Sequence, residues 1–320
     1  MLDVTIVGGG IAGLTAAISL RRAGHCVTIY EKSALNNEIG AAINVQTNAS
    51  RPLVALGMDP VRARFVPARG SKRLKGETLD LVHSLELGVI ANEYGSPWYF
   101  AHRVDLHQEL KRMATAADGG PPLTIKLRSE VTSYDPENAA IGLSDGTTIT
   151  SDLVVVADGI HSAGVEAVLG SSNPAYPAGQ DNFCYRFLLP MEEVLGDQET
   201  AQLFDDANWH SPVDKSHLLE TFSNFHPSVI ALLKFVDVVI VSGGLSGGAQ
   251  AIEDGVALGI CLSNISSSIY VPERLEMFES IRRNRASAVT IFSNAAQDEA
   301  EKIREAASEF VQPVERIPSE

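Results

Sequence analysis

A glycine-rich turn lies between two short β-branched runs near the start of the chain, in residues 3–31, DVTIVGGGIAGLTAAISLRRAGHCVTIYE. Residues 3–7 are typical of a buried strand, and the pattern over 14–23 favours a helix. A second apolar run, 26–30, ends at Glu31 and closes a unit of about 30 residues. The order strand, turn, helix, strand predicts a βαβ unit with two parallel strands.

The glycine turn has the spacing of a dinucleotide-binding loop. Gly8 permits a tight turn, Gly10 lets the backbone approach a pyrophosphate, and Gly13 allows the helix to pack closely on the strand. The helix N-terminus supplies N–H donors for the phosphates. Glu31, 21 residues after Gly10, can accept hydrogen bonds from ribose hydroxyls, and its charge would repel a 2′-phosphate. The loop therefore predicts FAD or NAD rather than NADP, with a purely structural glycine turn as the alternative.

Length and composition indicate an ordinary folded protein of about two domains. The 320 residues are 45% hydrophobic and 20% charged, and the net charge is −15. Such an acidic chain disfavours a nucleic-acid partner, because that binding depends on Lys and Arg. The cysteines include no CxxC pair and the histidines no HxxxH pair, so neither a disulfide framework nor a metal site is predicted. No signal peptide or membrane span is expected, since the apolar stretch 229–241 is short and interrupted by charges; we predict a cytoplasmic protein.

Beyond the βαβ unit, the hydrophobic pattern predicts a series of further elements. Residues 66–100 are irregular and strand-like, with glycines at the turns, and residues 153–157 form a continuous apolar run typical of a strand buried on both faces. The other expected strands are 124–134, 141–143 and 147–150, and the expected helices are 102–117, 250–263 and 272–310.

Four ordered motifs in the first half of the chain resemble a known family. They are Gly8–Gly13 with Glu31; Glu38–Ile43 with Thr47-Asn48-Ala49; Ala101–His107; and Asp152–Ser162, which contains Asp158-Gly159. The sequence is similar to FAD-dependent aromatic-ring monooxygenases of the salicylate and 4-hydroxybenzoate hydroxylase type, in a fungal-like form. The likeness resumes at Gly248–Gly255 and in 274–285.

The resemblance implies an α/β fold: a Rossmann-like FAD-binding domain of the glutathione-reductase type with a smaller β-sheet substrate domain, which we expect to be truncated. The FAD-binding domain would comprise residues 1–65, 101–172 and 242–320, and the substrate domain 66–100 and 173–241. The cofactors would be FAD, with NADPH or NADH as reductant. The partner would be a small aromatic or hydrophobic molecule, such as a polyketide or terpenoid of secondary metabolism, which the enzyme would hydroxylate or epoxidise.

The same resemblance implies roles for individual residues. Arg103 would lie beside the FAD pyrophosphate, and Asp158 would contact both FAD and the pyridine nucleotide; their alternatives are a surface cation and a plain turn residue. The further cofactor residues would be Lys32, Ala42, Gly248 and Ala249. Tyr185 and Arg186 are the candidates for catalysis, with Arg186 orienting an anionic or phenolic substrate; an ordinary strand-end arginine is the alternative.

The sequence departs from the family pattern ahead of Gly248. A third FAD motif, a strand ending in Gly-Asp followed by an Ala-x-His-Pro-like loop, has no counterpart here, and Asp237 does not match its aspartate. We therefore expect a shortened family member, and a catalytically impaired FAD-fold remnant is the alternative function. An NAD-dependent dehydrogenase would share the glycine loop but would not explain Arg103 or Asp158.

A hydrolase is a further alternative, because Gly244-Leu245-Ser246-Gly247-Gly248 fits the GxSxG pattern of a nucleophile elbow. That fold needs an acid and a histidine after the serine. All histidines of this chain lie at or before His226, so a triad in that order cannot form.

Overall fold

The computed structural model describes residues 1–35, 42–117, 120–159, 162–171, 184–186, 192, 196, 219–220, 222–234, 240–242, 247–294, 308 and 310. The strands are β1 (Asp3–Val7), β2 (Cys26–Glu31), β3 (Ala42–Val45), β4 (Val66–Pro67), β5 (Gly70–Leu74), β6 (Leu81–Glu86), β7 (Tyr99–His102), β8 (Leu123–Leu127), β9 (Val131–Asp135), β10 (Ala140–Leu143), β11 (Thr148–Thr150), β12 (Leu153–Val156), β13 (Cys184–Arg186) and β14 (Ile240–Ser242). The helices are α1 (Ile11–Arg22), α2 (Thr47–Ala55), α3 (Ile90–Tyr94), α4 (Arg103–Thr115), α5 (Gly164–Leu169), α6 (Pro227–Lys234), α7 (Gly247–Cys261) and α8 (Val271–Asn294), with a 3-10 turn at Ser268–Tyr270.

The chain folds into two compact units. The first comprises Met1–Ala34, Met113–Asn182 and Gly244–Glu320, and the second Leu35–Arg112 and Phe183–Gly243. Each unit is built from segments that are distant in sequence, so each depends on tertiary contacts rather than on one continuous stretch.

A four-stranded parallel sheet in the order β12-β1-β2-β8 forms the centre of the first unit. β1 lies between β12 and β2, and the side chains of Val4 and Ile6 are completely buried. The predicted strand–turn–helix–strand order is confirmed, and so is the α/β fold class.

β12 forms where a strand was predicted, but burial on both faces is wrong for it. Only Leu153 is buried, while the valines that follow are partly exposed. Within the described residues β12 has β1 as its one neighbour, because it is the edge strand of the sheet.

A three-stranded antiparallel sheet, β11-β10-β9, belongs to the same unit. The single strand predicted over 124–134 is instead two strands, β8 and β9, because Arg128 has a φ of 55° and breaks the extended backbone. Tyr134 of β9 pairs with Ile141 of β10 and packs with it against the buried Val7 and Tyr30. The antiparallel sheet thus shares a core with the parallel one.

Helix α7 packs directly on α1 through two glycines. A Cβ on Gly255 would lie 2.7 Å from the Ala16 nitrogen, and one on Gly259 would overlap the Ser19 side chain. Because both contacts advance by about four residues in each helix, the two helices run in the same direction. Their N-termini therefore lie at the same end of the pair.

The second unit contains smaller antiparallel sheets. β7 pairs with both β3 and β4, β5 and β6 form a hairpin, and β13 pairs with β14. The strand-like pattern predicted over 66–100 is confirmed, with Gly95 in the left-handed region at the end of α3. Among the described residues, no helix is long and apolar enough to cross a membrane.

The close packing of α7 on α1 at Gly255 and Gly259 leads to a prediction on stability. Gly259→Ala should lower the free energy of unfolding by about 1–3 kcal/mol, because the added methyl group meets both the side chain and the backbone of Ser19. Gly247→Ala, in the same helix, is the matched control: a Cβ there meets no atom within 4 Å, so stability should be unchanged. Urea denaturation of the apoproteins measures both values, and equal stability of the two variants would contradict the close packing.

Candidate functional site

The Gly8 turn joins the ends of three elements of the first unit. Gly8 has a φ of 102°, and its N–H donates to the backbone carbonyl oxygen of Tyr30 at 2.8 Å. A Cβ on Gly8 would overlap the Ala157 carbonyl oxygen. A Cβ on Gly13 would in turn overlap the carbonyl oxygen of Gly8. Both positions therefore require glycine for reasons of the protein's own packing.

Gly10 differs from the other two glycines, because a Cβ on it would meet no protein atom within 4 Å. It stands at the N-cap of α1, with extended φ and ψ of −77° and −169° that any residue can adopt. The first turn of α1 carries no acidic residue, so the positive end of the helix dipole is not neutralised within it. Gly10 thus borders open space at a helix N-terminus, which is the place where a pyrophosphate can approach the backbone.

The start of α7 adds a second helix N-terminus on this side of the unit. Gly248 and Ala249 lie in its first turn, and Ala249 is buried. Since α7 runs parallel to α1, both helix dipoles favour negative charge at the same end. This placement agrees with the roles predicted for the two residues, which remain predictions.

The Glu31 side chain is bonded directly to the backbone of the glycine turn. Its Oε2 accepts the Gly9 N–H at 2.7 Å and its Oε1 accepts the Ser33 N–H at 2.7 Å. Burial acts to raise the pKa of this carboxyl, but the backbone hydrogen bonds from Gly9 and Ser33, a hydrogen bond from the Ser33 side chain and the charge of Lys32 together hold the pKa below its ordinary value. The carboxylate is therefore charged at neutral pH, and a carboxylate has acceptor capacity beyond these three hydrogen bonds for a ribose hydroxyl.

Asp158 follows β12 at the carboxyl end of the parallel sheet. Its Oδ2 accepts the Tyr134 hydroxyl at 2.9 Å and the Ala163 N–H at 3.2 Å. Its Oδ1 is buried and has no hydrogen-bond partner among the described residues, and the same holds for the Ser162 hydroxyl. Because a buried polar atom without a partner is costly, this pair of atoms indicates a ligand that supplies the missing hydrogen bonds.

These features fit the FAD implied by the sequence. The open space at Gly10 suits the pyrophosphate, Glu31 offers acceptors to ribose hydroxyls, and the unpartnered Asp158 Oδ1 suits a hydroxyl or N–H donor of the cofactor. The structure thus brings together Gly8, Gly10, Gly13, Glu31 and Asp158 in one unit. The contribution of Tyr134 was missed, because nothing in the sequence of β9 distinguishes it from a core tyrosine.

Lys32 directly follows β2 in the first unit, and the remaining predicted residues lie in the second unit. Ala42 begins β3 and pairs with His102, the residue before Arg103, so Ala42 and Arg103 occupy the same end of one strand pair. Tyr185 and Arg186 lie in β13, opposite Val241 and Ile240 of β14. Their roles toward cofactor and substrate remain predictions.

The hydrolase alternative loses its structural context here. A nucleophile elbow follows a strand of a parallel α/β sheet, whereas β14, which precedes the GxSxG residues, pairs antiparallel with β13. Ser246 itself falls outside the described residues.

The carboxylate of Glu31 gives the site a defined pH dependence. Glu31→Gln should lower the free energy of unfolding at neutral pH, because the hydrogen bonds from Gly9 and Ser33 lose their charged acceptor. The wild-type advantage is fully present above the ordinary pKa of about 4.5 and is lost as pH falls through the lower pKa of the folded protein.

Urea denaturation of both apoproteins at neutral pH and in steps below pH 4.5 measures this difference. Glu276→Gln, at an exposed position of α8, is the control and should leave the pH profile unchanged. A stability difference between wild type and Glu31→Gln that does not vary with pH would contradict the assignment.

Comparisons with known proteins are consistent with this site. The family model described as "Pyridine nucleotide-disulphide oxidoreductase" matches residues 2–173, which is just over half of the chain. FAD-dependent monooxygenase cfoG of Aspergillus candidus is 32% identical, over 95% of this chain and 87% of that protein. Hispidin-3-hydroxylase of Neonothopanus nambi is 29% identical, over 92% and 88%. The solved structure of Klebsiella pneumoniae HpxO complexed with FAD and uric acid has a TM-score of 0.73 at 19% identity, over 97% of this chain and 92% of that one, and supports the fold.

The alignment lengths also bear on the expected shortening. The match to the Aspergillus protein spans 379 positions, whereas this chain has 320 residues, so at least the difference of 59 positions has no counterpart in this chain. Because these positions fall inside the matched span, the relative contains internal residues that this chain lacks. At this level of identity and coverage the family is established, and the chain belongs to the FAD-dependent monooxygenases.

Proposed function

We propose that this chain uses FAD, NADPH or NADH, and O2 to hydroxylate or epoxidise a small aromatic or polyketide- or terpenoid-like substrate. One oxygen atom would enter the substrate and the other would leave as water, with the pyridine nucleotide supplying two electrons. The observation that carries this proposal is the joint placement of Gly10, Glu31 and the unpartnered Asp158 Oδ1 in one unit. The printed names of the relatives, among them hispidin-3-hydroxylase, support the aromatic substrate class.

Bound FAD supplies the redox chemistry, by taking up hydride and reacting with O2. The chain supplies the binding and orientation. The N-termini of α1 and α7 stabilise the pyrophosphate charge, Glu31 accepts from a ribose hydroxyl, and Asp158 holds a further donor of the cofactor. Arg103 would add a guanidinium to the pyrophosphate, while Lys32 and Ala42 would line the cofactor.

The second unit would receive the substrate. There, Arg186 would pair with a phenolate or carboxylate and Tyr185 would share in positioning the ring, since a guanidinium binds planar oxygen pairs. The first unit would serve as the FAD-binding domain, and a cytoplasmic location remains a prediction from the sequence.

Two glycines of the loop allow cofactor binding to be separated from folding. Gly10→Ala should leave the unfolding midpoint of the apoprotein unchanged, because its Cβ enters open space, yet weaken FAD binding roughly tenfold or more by occupying the pyrophosphate position. Gly13→Ala should instead destabilise the apoprotein by about 1–3 kcal/mol, because its Cβ meets the Gly8 carbonyl. Thermal unfolding and quenching of FAD fluorescence measure the two effects; tight FAD binding by Gly10→Ala would place the pyrophosphate elsewhere.

Turnover tests the proposed reaction itself. The purified protein, reconstituted with FAD, is given NADH or NADPH together with a phenolic acid or hispidin in isotopically labelled O2. We expect substrate-dependent consumption of the pyridine nucleotide and a product that carries one labelled oxygen atom. Gly10→Ala at the same FAD concentration is the matched control and should show reduced turnover. Absence of flavin binding by the wild type would refute the proposed function.

A catalytically impaired FAD-binding protein is the second candidate, and the missing 59 or more aligned positions favour it. It predicts FAD binding and slow oxidation of NAD(P)H whose electrons appear as hydrogen peroxide rather than as hydroxylated product. The ratio of peroxide to labelled product in the turnover experiment separates the two candidates.

A further inference from the structure

Tyr134 lies where the antiparallel sheet meets the end of the parallel sheet. Its ring packs against the core cluster that contains Val7, Tyr30 and Ile141. A Cβ on Gly164 would lie 3.2 Å from the Tyr134 Cζ, so the start of α5 also lies close to the ring. The core cluster and α5 together restrict the ring, and the position of its hydroxyl is restricted with it.

The hydroxyl is directed at one oxygen of Asp158. It donates to Oδ2 at 2.9 Å, and the Ala163 N–H donates to the same oxygen at 3.2 Å. Both donors of the described residues thus converge on Oδ2 and leave Oδ1 buried and unpartnered. Two hydrogen bonds to one carboxylate oxygen fix the side-chain torsion angles of Asp158, whereas a single bond would leave the carboxylate able to turn.

The surroundings keep Tyr134 a donor. Burial, together with the hydrogen bond and negative charge of Asp158, raises the pKa of Tyr134 well above its usual range. The hydroxyl consequently keeps its proton at neutral pH and remains a hydrogen-bond donor to Asp158.

We propose that Tyr134 is a positioning residue for the cofactor, which acts by holding Asp158 so that Oδ1 faces a hydroxyl or N–H donor of FAD. The inference rests on the proposed function, because it takes FAD as the group that satisfies Oδ1. It extends that function by one residue that lies on a different sheet from the glycine loop. Without the tyrosine hydroxyl, Asp158 keeps its Ala163 contact but is free to rotate, so that FAD must order it on binding.

The test compares Tyr134→Phe with Tyr30→Phe. Each variant removes one hydroxyl from a tyrosine of the same core cluster, but only Tyr134 contacts Asp158. Apoprotein is titrated with FAD, and the dissociation constant is read from fluorescence quenching. We expect an increase of about 5- to 20-fold for Tyr134→Phe, as for the loss of one hydrogen bond to a charged group, and little change for Tyr30→Phe. Unfolding midpoints of the apoproteins, measured beside the titration, check that the core is intact.

A double-mutant cycle then shows whether Tyr134 acts through Asp158. In an Asp158→Ala background, Tyr134→Phe should change FAD affinity less than about twofold, because the group that it positions is gone. Should Tyr134→Phe fail to fold, Asp158→Ala alone carries the test, since removing the carboxylate must weaken FAD binding at least as much as removing its support.

Several outcomes would overturn the inference while leaving the proposed function in place. They are wild-type affinity in Tyr134→Phe, an equal loss in Tyr30→Phe, and an undiminished effect in the Asp158→Ala background. Wild-type affinity in Asp158→Ala would overturn the inference together with the role that the proposed function gives to Asp158. A wild-type protein that binds no FAD would overturn the proposed function and this inference together.

Discussion

The contact of the Gly8 backbone with the Ala157 carbonyl is the constraint on which the rest of the site depends. It requires a glycine with a positive φ and leaves no room for a side chain. Because β1 ends at this point beside β12, the contact places the turn that leads into α1 next to Asp158. The turn that leads into α1 and the Asp158 carboxylate are therefore positioned by one backbone contact, and α1 packs closely on this turn because Gly13 lies against the Gly8 carbonyl.

Buried polar side chains secure the far ends of the same elements. The Arg21 guanidinium, at the end of α1, donates to the carbonyl oxygens of Ala116 and Gly120 at 3.1 Å and of Pro121 at 2.5 Å. The His25 Nδ1 accepts the Leu2 N–H at 3.2 Å, so its Nε2 carries the proton that is donated to the Leu262 carbonyl at 2.7 Å. These bonds satisfy backbone groups that loops would otherwise leave buried and unpaired. The two His25 bonds also link the end of α7 to the start of β1.

A second network joins α7 to α8. Arg282 is buried and donates to Asp254 at 2.6 Å, to Gln250 at 2.8 Å and to Glu253, which Arg285 also contacts at 2.8 Å. A buried guanidinium is tolerated here because each contact is to a charged or polar oxygen. These residues lie in 248–255 and 274–285, the two later segments that resemble the family, and their side chains join α7 to α8.

Local patterns in the sequence determined the βαβ unit, the glycine loop and the place of Glu31, because hydrophobic period and glycine spacing act over about 30 residues. The resemblance of the sequence motifs to the family further predicted a cofactor role for Asp158 and a chain shorter than its relatives. Only the tertiary structure decided that Arg128 divides one predicted strand into two, that β12 is an edge strand, and that Glu31 holds the loop through Gly9. It alone brought Tyr134 to Asp158, since that contact joins two sheets and depends on the depth to which a ring is packed, for which no short-range pattern exists.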